Sequence, residues 1–269
     1  MTVTWCNGAF VEQLALDPAE RGLMLGDGIF ETIAVRGGKA IWLKPHLARM
    51  AEAARVFGIP FTEIEVQNGI MAVLAKSDQP SEVLRITLTR GPTGRGLAIN
   101  GDKPTQIVSL NSFDRGKLPE SVRLATASVE RHVGSPTSRF KTVSYMDAIA
   151  AAREVADRAD DALMLNSKGR VASSTVANIF LLQGEALITP AGGEAILPGI
   201  ARATLNCGAR GLGLELQLRP VEYAELHSAD AVFLTNSLRL ATRVSSIDGK
   251  ACGTRDISFI NAFFERNLS

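Results

Sequence analysis

Lys141 is the residue whose neighbours most clearly suggest chemistry. It lies in the segment "SRFKTVSYMD", beside Phe140, Val143, Tyr145 and Met146. Most lysines stay solvated at a protein surface, and that is the simpler interpretation here. Apolar neighbours would draw this side chain inward, however, and a desolvated lysine has a lowered pKa and can form a Schiff base with an aldehyde. The segment therefore predicts a candidate nucleophile.

Three further segments could together bind an anion such as a phosphate. Arg49, in "PHLARM", could donate two hydrogen bonds to it, although a helical arginine more often extends into solvent. The segment "LPGIAR" places Gly199 and Ile200 at a predicted helix N-terminus, where free backbone N–H groups favour anions. Asn236 and Ser237, in "LTNS", add amide and hydroxyl donors at a predicted strand end. Each signal is weak alone.

Other kinds of site have little support. The loop "TRGPTGRGLAI" contains Arg90 and Arg95, which could bind a carboxylate or simply belong to a mobile loop. The three histidines are not accompanied by a G-x-S-x-G, H-E-x-x-H or P-loop motif. Three widely spaced cysteines without a CxxC pair predict reduced thiols and no metal site.

The overall composition limits the classes of binding partner and the cellular location that we expect for this protein. Among 269 residues, 29 basic and 28 acidic side chains nearly cancel, which argues against nucleic acid or a membrane surface as a partner. The N-terminal segment "MTVTWCNGAF" lacks the pattern of a signal peptide, and no apolar run approaches the ~20 residues needed to span a bilayer. We therefore expect a cytoplasmic protein whose partner is neither nucleic acid nor a membrane.

Hydrophobic periodicity predicts alternating strands and helices. A strand hairpin is predicted in "GIFETIAVRGG" and "KAIWL", and helices are predicted in "KPHLARMAEAARVFGI" and "SYMDAIAAAREVADRA". Because hairpins recur, a purely parallel sheet is disfavoured, and we predict an α+β or α/β chain with two domains. The predicted domains are residues 1–113 and 121–269, joined by a loop at 114–120.

Several blocks, taken in order, resemble one enzyme family. They resemble the class IV aminotransferases, which are fold-type-IV pyridoxal-phosphate enzymes that include aminodeoxychorismate lyase and the branched-chain and D-amino-acid aminotransferases. The similarity runs from about residue 5 to residue 245. The blocks are "ERGLMLGDGIFETIAVRGGKAIWLKPHLARM", "FKTVSY", "NSKGRVASSTVANIF", "ITPAGGEAILPGIAR" and "VFLTNSL".

The resemblance implies a fold, a cofactor and a set of roles. It implies two α/β domains, the second carrying the cofactor lysine, and a homodimer that binds pyridoxal 5'-phosphate. Lys141 matches the lysine that forms the Schiff base with the cofactor and then transfers protons. The other cofactor-binding positions are Arg49, Tyr145, Ser173, Ser174, Asn178, Ile200, Ala201, Asn236 and Ser237. The substrate positions are Phe30, Arg90 and Arg95.

Three positions depart from the family pattern. Ala201 stands where threonine is frequent, so one phosphate-binding hydroxyl is absent, and Tyr145 lies one residue closer to Lys141 than in the branched-chain enzymes. The largest departure is Ser173, at the position of the glutamate that keeps the pyridine nitrogen of the cofactor protonated. A neutral hydroxyl cannot hold that proton by Coulomb attraction. Because transamination depends more on a protonated ring than elimination does, Ser173 favours lyase chemistry or a slow transaminase.

The resemblance leaves three functions open. An aminodeoxychorismate-lyase-like activity, which releases pyruvate and forms 4-aminobenzoate, is slightly preferred because of "GDGIFETI", the "TRGPTGRGL" loop and the short chain. The alternative is a branched-chain or D-amino-acid aminotransferase that uses 2-oxoglutarate or pyruvate, towards which Tyr145 points. A third alternative is a homologue that binds the cofactor but catalyses weakly because of Ser173.

Overall fold

A computed structural model of the chain describes residues 2–98 and 101–268. The chain divides into two compact units. The first contains the chain up to Lys117 together with Phe140–Ser144, and the second contains Leu118–Arg139 and Tyr145–Leu268. None of the helices in these described ranges is both long and apolar enough to cross a membrane.

The first unit is built on an antiparallel sheet. Its strands lie in the order β2-β1-β6-β5-β3-β4, and β3 and β5 pair along their whole length from Gly28↔Thr89 to Arg36↔Ser81. The strands are β1 Val3–Cys6, β2 Ala9–Phe10, β3 Gly28–Arg36, β4 Lys39–Ala40, β5 Ser81–Thr89 and β6 Thr105–Ser112. The helices are α1 Arg21–Leu25, α2 Leu43–Phe57 and α3 Glu63–Leu74.

Apolar side chains on alternating strand positions form the core of this unit. Ile29, Ile33, Leu84 and Ile86 are fully buried and belong to one hydrophobic cluster with the apolar faces of α2 and α3. Helix α2 ends where Gly58 adopts a left-handed φ of 61° and its N–H bonds the carbonyls of the last turn. Such a cap favours glycine because a Cβ is unfavourable at this φ.

The segment Phe140–Ser144 is the main difference from the predicted domains, which placed it in residues 121–269. It groups with the first unit because it lies beside β3. The N–H of Phe30 donates to the carbonyl of Lys141 at 2.9 Å, and the N–H of Val143 donates to the carbonyl of Gly28 at 2.9 Å. The boundaries at 114–120 otherwise remain a prediction.

The second unit contains a mixed sheet that closes on itself. Hydrogen-bonded neighbours follow the path β10-β13-β14-β7-β8-β9, and β9 pairs with β10 again, while β11, β12 and β15 extend the sheet. The pairs β7–β14, β7–β8 and β11–β12 are parallel. The strands are β7 Ser121–Thr126, β8 Asp161–Leu165, β9 Val171–Ser174, β10 Asn178–Gln183, β11 Ala186–Pro190, β12 Glu215–Arg219, β13 Ala231–Asn236, β14 Leu240–Ile247 and β15 Lys250–Ala251.

Strand β10 lies at the centre of the second core. Its residues Asn178 to Leu182 are all buried, as expected of a strand covered on both faces, and Phe180 stacks on Phe233 with ring centroids 5.3 Å apart. The helices of this unit are α4 Met146–Val155, α5 Ile200–Gly208, α6 Glu225–Ser228 and α7 Ser258–Arg266. Short 3-10 helices cover Pro136–Ser138 and Ala209–Leu212 in this unit and Arg115–Lys117 in the first unit.

One predicted strand is much shorter in the structure. The segment "KAIWL" contributes only Lys39–Ala40 to the sheet, because Trp42 turns the chain with a left-handed φ of 53° and α2 begins at Leu43. The apolar residues that suggest a strand here are buried at the N-terminus of α2 instead. Ile41 is 7% exposed and Trp42 is 5% exposed.

We predict that Leu84→Ala destabilises the protein by about 3 kcal/mol, because it removes a fully buried side chain and leaves a cavity in the first core. Urea unfolding followed by circular dichroism measures the change. Met71→Ala, on an exposed position of α3, is the matched control and should shift the unfolding free energy by less than about 0.5 kcal/mol. Equal effects of the two substitutions would contradict the core described above.

Candidate active site

Lys141 is held against an aromatic ring in the first unit. The backbone bonds to β3 fix its position along the strand, and an isolated β-bridge joins its neighbour Thr142 to Ile29. The Lys141 Nζ lies 4.3 Å from the centroid of the Phe30 ring, within cation–π distance, and the guanidinium of Arg85 lies 3.9 Å from the same centroid. The predicted nucleophile and the predicted substrate residue Phe30 are therefore neighbours.

A buried carboxylate lies on the other face of β3. Glu31 is 1% exposed and binds two residues of α2. Arg49 donates from Nε to Oε1 at 2.8 Å and from Nη2 to Oε2 at 2.6 Å, and His46 Nδ1 lies 2.7 Å from Oε2. This paired geometry fixes the orientation of the Arg49 guanidinium, whose side chain is 11% exposed.

The charges of this cluster are set by burial and pairing. Burial alone would raise the pKa of Glu31, but the hydrogen bond from His46 and the charge and hydrogen bonds of Arg49 lower that pKa to about 2. Burial lowers the pKa of His46, and the positive charges of Arg49 and Lys141 act in the same direction, against the hydrogen bond to Glu31. His46 is therefore neutral and donates its Nδ1–H to the ionised carboxylate.

Arg90 belongs to a second ion cluster, centred on Asp27. Its Nε donates to Asp27 Oδ2 at 2.8 Å, and its Nη1 and Nη2 donate to the carbonyls of Gly58 and Phe57. Arg21 shares Asp27 Oδ2 at 2.7 Å and also donates to the carbonyl of Gly96 at 2.6 Å. Arg90 is thus 9% exposed and bound to other parts of its own unit, and its contact with substrate stays a prediction.

Ser173 and Asn178 close the ring of strands in the second unit. They form the only β9–β10 residue pair among the described residues, and Ser173 also pairs with Met164 of β8. The Ser173 hydroxyl is buried and donates to the carbonyl of Ser174 at 2.8 Å. Ser174 Oγ accepts hydrogen bonds from the N–H groups of Val176 and Ala177, so it stabilises the turn that leads back into β10.

The side chain of Asn178 holds the loop that precedes α5. Its Nδ2 donates to the carbonyl of Leu197 at 2.9 Å, and a Cβ on Gly199 would meet Asn178 Oδ1 at 2.0 Å, so only glycine fits there. Gly199 is the N-cap of α5, and the first-turn N–H groups of Ile200 and Ala201 have no partner within the helix. The structure therefore forms the helix N-terminus predicted as an anion site.

Asn236 stabilises the turn after β13. Its Oδ1 accepts from the N–H groups of Leu238 and Arg239 at 3.1 and 2.8 Å, and Ser237 lies within this turn. The neighbouring Thr235 hydroxyl is buried and has no hydrogen-bond partner among the described residues. The Asn236 side chain is thus used within the turn, and the binding of phosphate by Asn236 and Ser237 stays a prediction.

The structure places the predicted residues in two groups. Phe30, Arg49, Lys141, Arg90 and the exposed Arg95 lie in the first unit. The second unit contains Ser173, Ser174, Asn178, Ile200, Ala201, Asn236, Ser237 and the half-buried Tyr145, which immediately precedes α4. The predicted loop "TRGPTGRGLAI" ends at Ile99, which lies outside the described residues.

Sequence reasoning missed Glu31. The sequence does contain a signal for this residue, which is an acidic side chain at an inward position of the apolar strand "GIFETIAV". Such a side chain indicates a buried ion pair, because a carboxylate in a core requires a partner. His46 and Arg49, three residues apart on the facing helix, supply that partner.

Comparison with known proteins assigns the family. The sequence model described as "Amino-transferase class IV" matches residues 28–247. The chain belongs to the class IV aminotransferase family. It is an enzyme of this family, and it has the mixed α+β fold of class IV aminotransferases and lyases.

Relatives of this class IV enzyme carry both lyase and transaminase names. A putative branched-chain-amino-acid aminotransferase of Methanocaldococcus jannaschii is 28% identical over 95% of this chain and 91% of its own. The structure of a putative 4-amino-4-deoxychorismate lyase from Legionella pneumophila is 31% identical, covers 95% of this chain and 96% of its own, and has a TM-score of 0.88. A T.th. branched-chain amino acid aminotransferase, solved with pyridoxamine 5'-phosphate, is 25% identical over 99% of this chain and 94% of its own, with a TM-score of 0.89.

We predict that Glu31→Gln lowers the unfolding free energy by about 3 kcal/mol at pH 7, because it removes the buried partner of Arg49. The folded pKa of Glu31 lies below its ordinary value, so its contribution is present above about pH 4.5 and is lost as the pH falls towards about 2. Urea unfolding at pH 7 and at pH 3.5 measures both effects. A difference between wild type and variant that stays constant over this range would contradict the assignment.

Proposed function

We propose that this chain is a pyridoxal-phosphate enzyme with aminodeoxychorismate-lyase-like activity. Each unit, taken by itself, contains groups that suit a part of such a cofactor chemically. Lys141 supplies an amine for the aldehyde, the α5 N-terminus supplies N–H donors for the phosphate, and Ser237, in the turn formed by Asn236, supplies a hydroxyl donor. The observation that carries the proposal is the position of Lys141 Nζ, 4.3 Å from the centroid of the Phe30 ring, on a segment whose backbone is hydrogen-bonded to β3.

Each group has a role in this proposal. Bound pyridoxal phosphate supplies the electron sink that stabilises the electron pair left when a proton leaves the substrate carbon. Lys141 Nζ holds the cofactor and removes that proton. Arg49, oriented by Glu31, and the N–H groups of Ile200 and Ala201 bind the phosphate.

The lyase activity is preferred over transamination for two reasons. The relative of Legionella pneumophila named a lyase shares 31% identity over almost the entire length of both chains. Ser173, a buried neutral hydroxyl, lies opposite Asn178 where the family resemblance expects a carboxylate. In this activity aminodeoxychorismate is converted to 4-aminobenzoate and pyruvate, with no second substrate. An amino-acid aminotransferase is the second candidate, supported by the M. jannaschii relative.

The first test of the proposal is Lys141→Ala. We expect wild-type protein to release pyruvate from aminodeoxychorismate, and the variant to lose that rate by about a thousandfold or more because the proton acceptor is gone. Borohydride reduction followed by peptide mass spectrometry should find the cofactor attached to Lys141 in the wild type.

Lys44→Ala, at an exposed position of α2, is the matched control and should retain both the rate and the attachment. Attachment of the cofactor to any lysine other than Lys141 would refute the assignment. Attachment at Lys141 without pyruvate release, but with amino transfer to 2-oxoglutarate, would support the aminotransferase instead.

Ser173→Glu tests the preference for elimination. A carboxylate at this position would hold the pyridine nitrogen protonated, so we expect amino transfer from an amino acid to the cofactor to become about tenfold faster or more. Single-turnover spectroscopy with a panel of L- and D-amino acids measures this rate.

Ser173→Ala is the neutral control and should leave the slow amino transfer within about twofold of wild type. The preference would be wrong if the wild type already transferred amino groups at about 10 per second and released no pyruvate from aminodeoxychorismate.

A further inference from the structure

Arg131, in the second unit, joins two loops that lie far apart in the sequence. Its Nε donates to the carbonyl of Ala195 at 2.6 Å, and its Nη2 donates to the carbonyl of Ser138. These two N–H groups are parallel on one edge of the planar guanidinium, so their acceptors must lie side by side. Arg49 and Arg170 use the same edge to bind both oxygens of one carboxylate. Arg131 binds two main-chain carbonyls in this way instead.

The position of Arg131 is fixed by its own backbone. Its N–H donates to the carbonyl of Leu165 at 2.8 Å, and its carbonyl accepts from the N–H of Ser167 at 3.0 Å. Burial lowers the pKa of the half-buried side chain, and the nearby Tyr145 and Asp147 act in the opposite direction. The guanidinium stays charged, because arginine is not deprotonated in proteins. Its bonds to the two carbonyls are therefore charge-assisted and stronger than bonds between neutral groups.

The loop that contains Ala195 leads to the helix N-terminus proposed to bind phosphate. We call it the β11–α5 loop, residues 191–199. Asn178 binds the carbonyl of Leu197 in this loop, and Arg131 binds the carbonyl two residues earlier. Ala195 has a left-handed φ of 60° and is 1% exposed. Because this conformation is unfavourable for alanine, the contacts around it must maintain it, and the Arg131 bond is made to this same residue.

We infer that Arg131 is a positioning residue for the phosphate of the cofactor. It acts through the β11–α5 loop, which it holds beside Ser138 so that the N–H groups of Ile200 and Ala201 keep their orientation. Donors held in place before a ligand arrives bind it more tightly, because less ordering accompanies binding. The inference rests on the proposed function, because it takes the ligand of these N–H groups to be pyridoxal 5'-phosphate.

Titration of the whole chain, freed of cofactor, with pyridoxal 5'-phosphate and with pyridoxal tests the inference. Pyridoxal lacks the phosphate, so wild type should bind it more weakly. Arg131→Met should bind the phosphate ester about tenfold more weakly or worse, and its affinity for pyridoxal should stay within about twofold of wild type. A general loss of stability would change both affinities together.

Two further variants separate geometry from charge and from the loss of any arginine. Arg131→Lys keeps the charge but lacks the rigid pair of parallel donors, so we expect it to lose nearly as much affinity for the ester as Arg131→Met. Wild-type affinity in Arg131→Lys would overturn the positioning role. Arg123→Met is the matched control, because Arg123 uses the same guanidinium edge to bind Asp160 at the surface of this unit. Both of its affinities should stay within about twofold of wild type.

Hydrogen exchange gives a readout that needs no cofactor. The N–H of Glu194 donates to the carbonyl of Ala191 within the β11–α5 loop at 3.0 Å, so its exchange reports on opening of the loop. It should exchange about tenfold faster or more in the two Arg131 variants than in wild type, whereas the amides of β10 should not change. An unprotected Glu194 amide in wild type would overturn the inference without any variant.

The inference and the proposed function can fail separately. Equal affinity of wild type for the ester and for pyridoxal, or unchanged affinity for the ester in Arg131→Met, overturns the positioning role even if wild type releases pyruvate. A loss confined to the ester in Arg131→Met, with no pyruvate released by wild type from aminodeoxychorismate, supports the positioning role and overturns the lyase.

Discussion

Asn178 is the residue on which the second unit depends most. Its backbone pairs with Ser173 on one side and with Thr235 on the other, so it joins β9 and β13 through the first residue of β10. Its side chain simultaneously binds the carbonyl of Leu197, which sets the start of α5. A single amide thus connects the closure of the sheet to the helix N-terminus proposed to bind phosphate. No aliphatic residue could replace both functions, because the carbonyl of Leu197 would lose its donor.

The first unit uses a comparable arrangement built on charged groups. Glu31 lies in the core, where an unpaired carboxylate would be strongly unfavourable, and is tolerated because Arg49 and His46 bind both of its oxygens. The consequence is a guanidinium with a defined orientation on α2. Strand β3 carries this carboxylate on one face and Phe30 on the other, and its backbone holds Lys141. One strand therefore positions three of the groups on which the proposed chemistry depends.

Periodicity in the sequence predicted much of this fold, and its failures have physical causes. Helix α2 was recognisable because its apolar residues repeat at the helical period and the pattern ends at a glycine. The sequence did not predict that Lys141 lies beside β3. A single β-bridge between residues more than a hundred positions apart leaves no local pattern. Leu240 shows the same limit, since its left-handed φ is imposed by the Asn236 turn and not by leucine itself. The family resemblance pointed to Ser173 and Asn178, whereas burial and pairing revealed Glu31.

Asp27 has a consequence for how this protein can vary. Its carboxylate binds both Arg21 and Arg90, which in turn hold carbonyl groups at Gly96 and at Phe57–Gly58. Two loops that are distant in sequence therefore share one anchor. Changes in either loop will not have independent effects, since each shifts the common partner of the other. We therefore expect substitutions in one of these loops to be correlated with substitutions in the other.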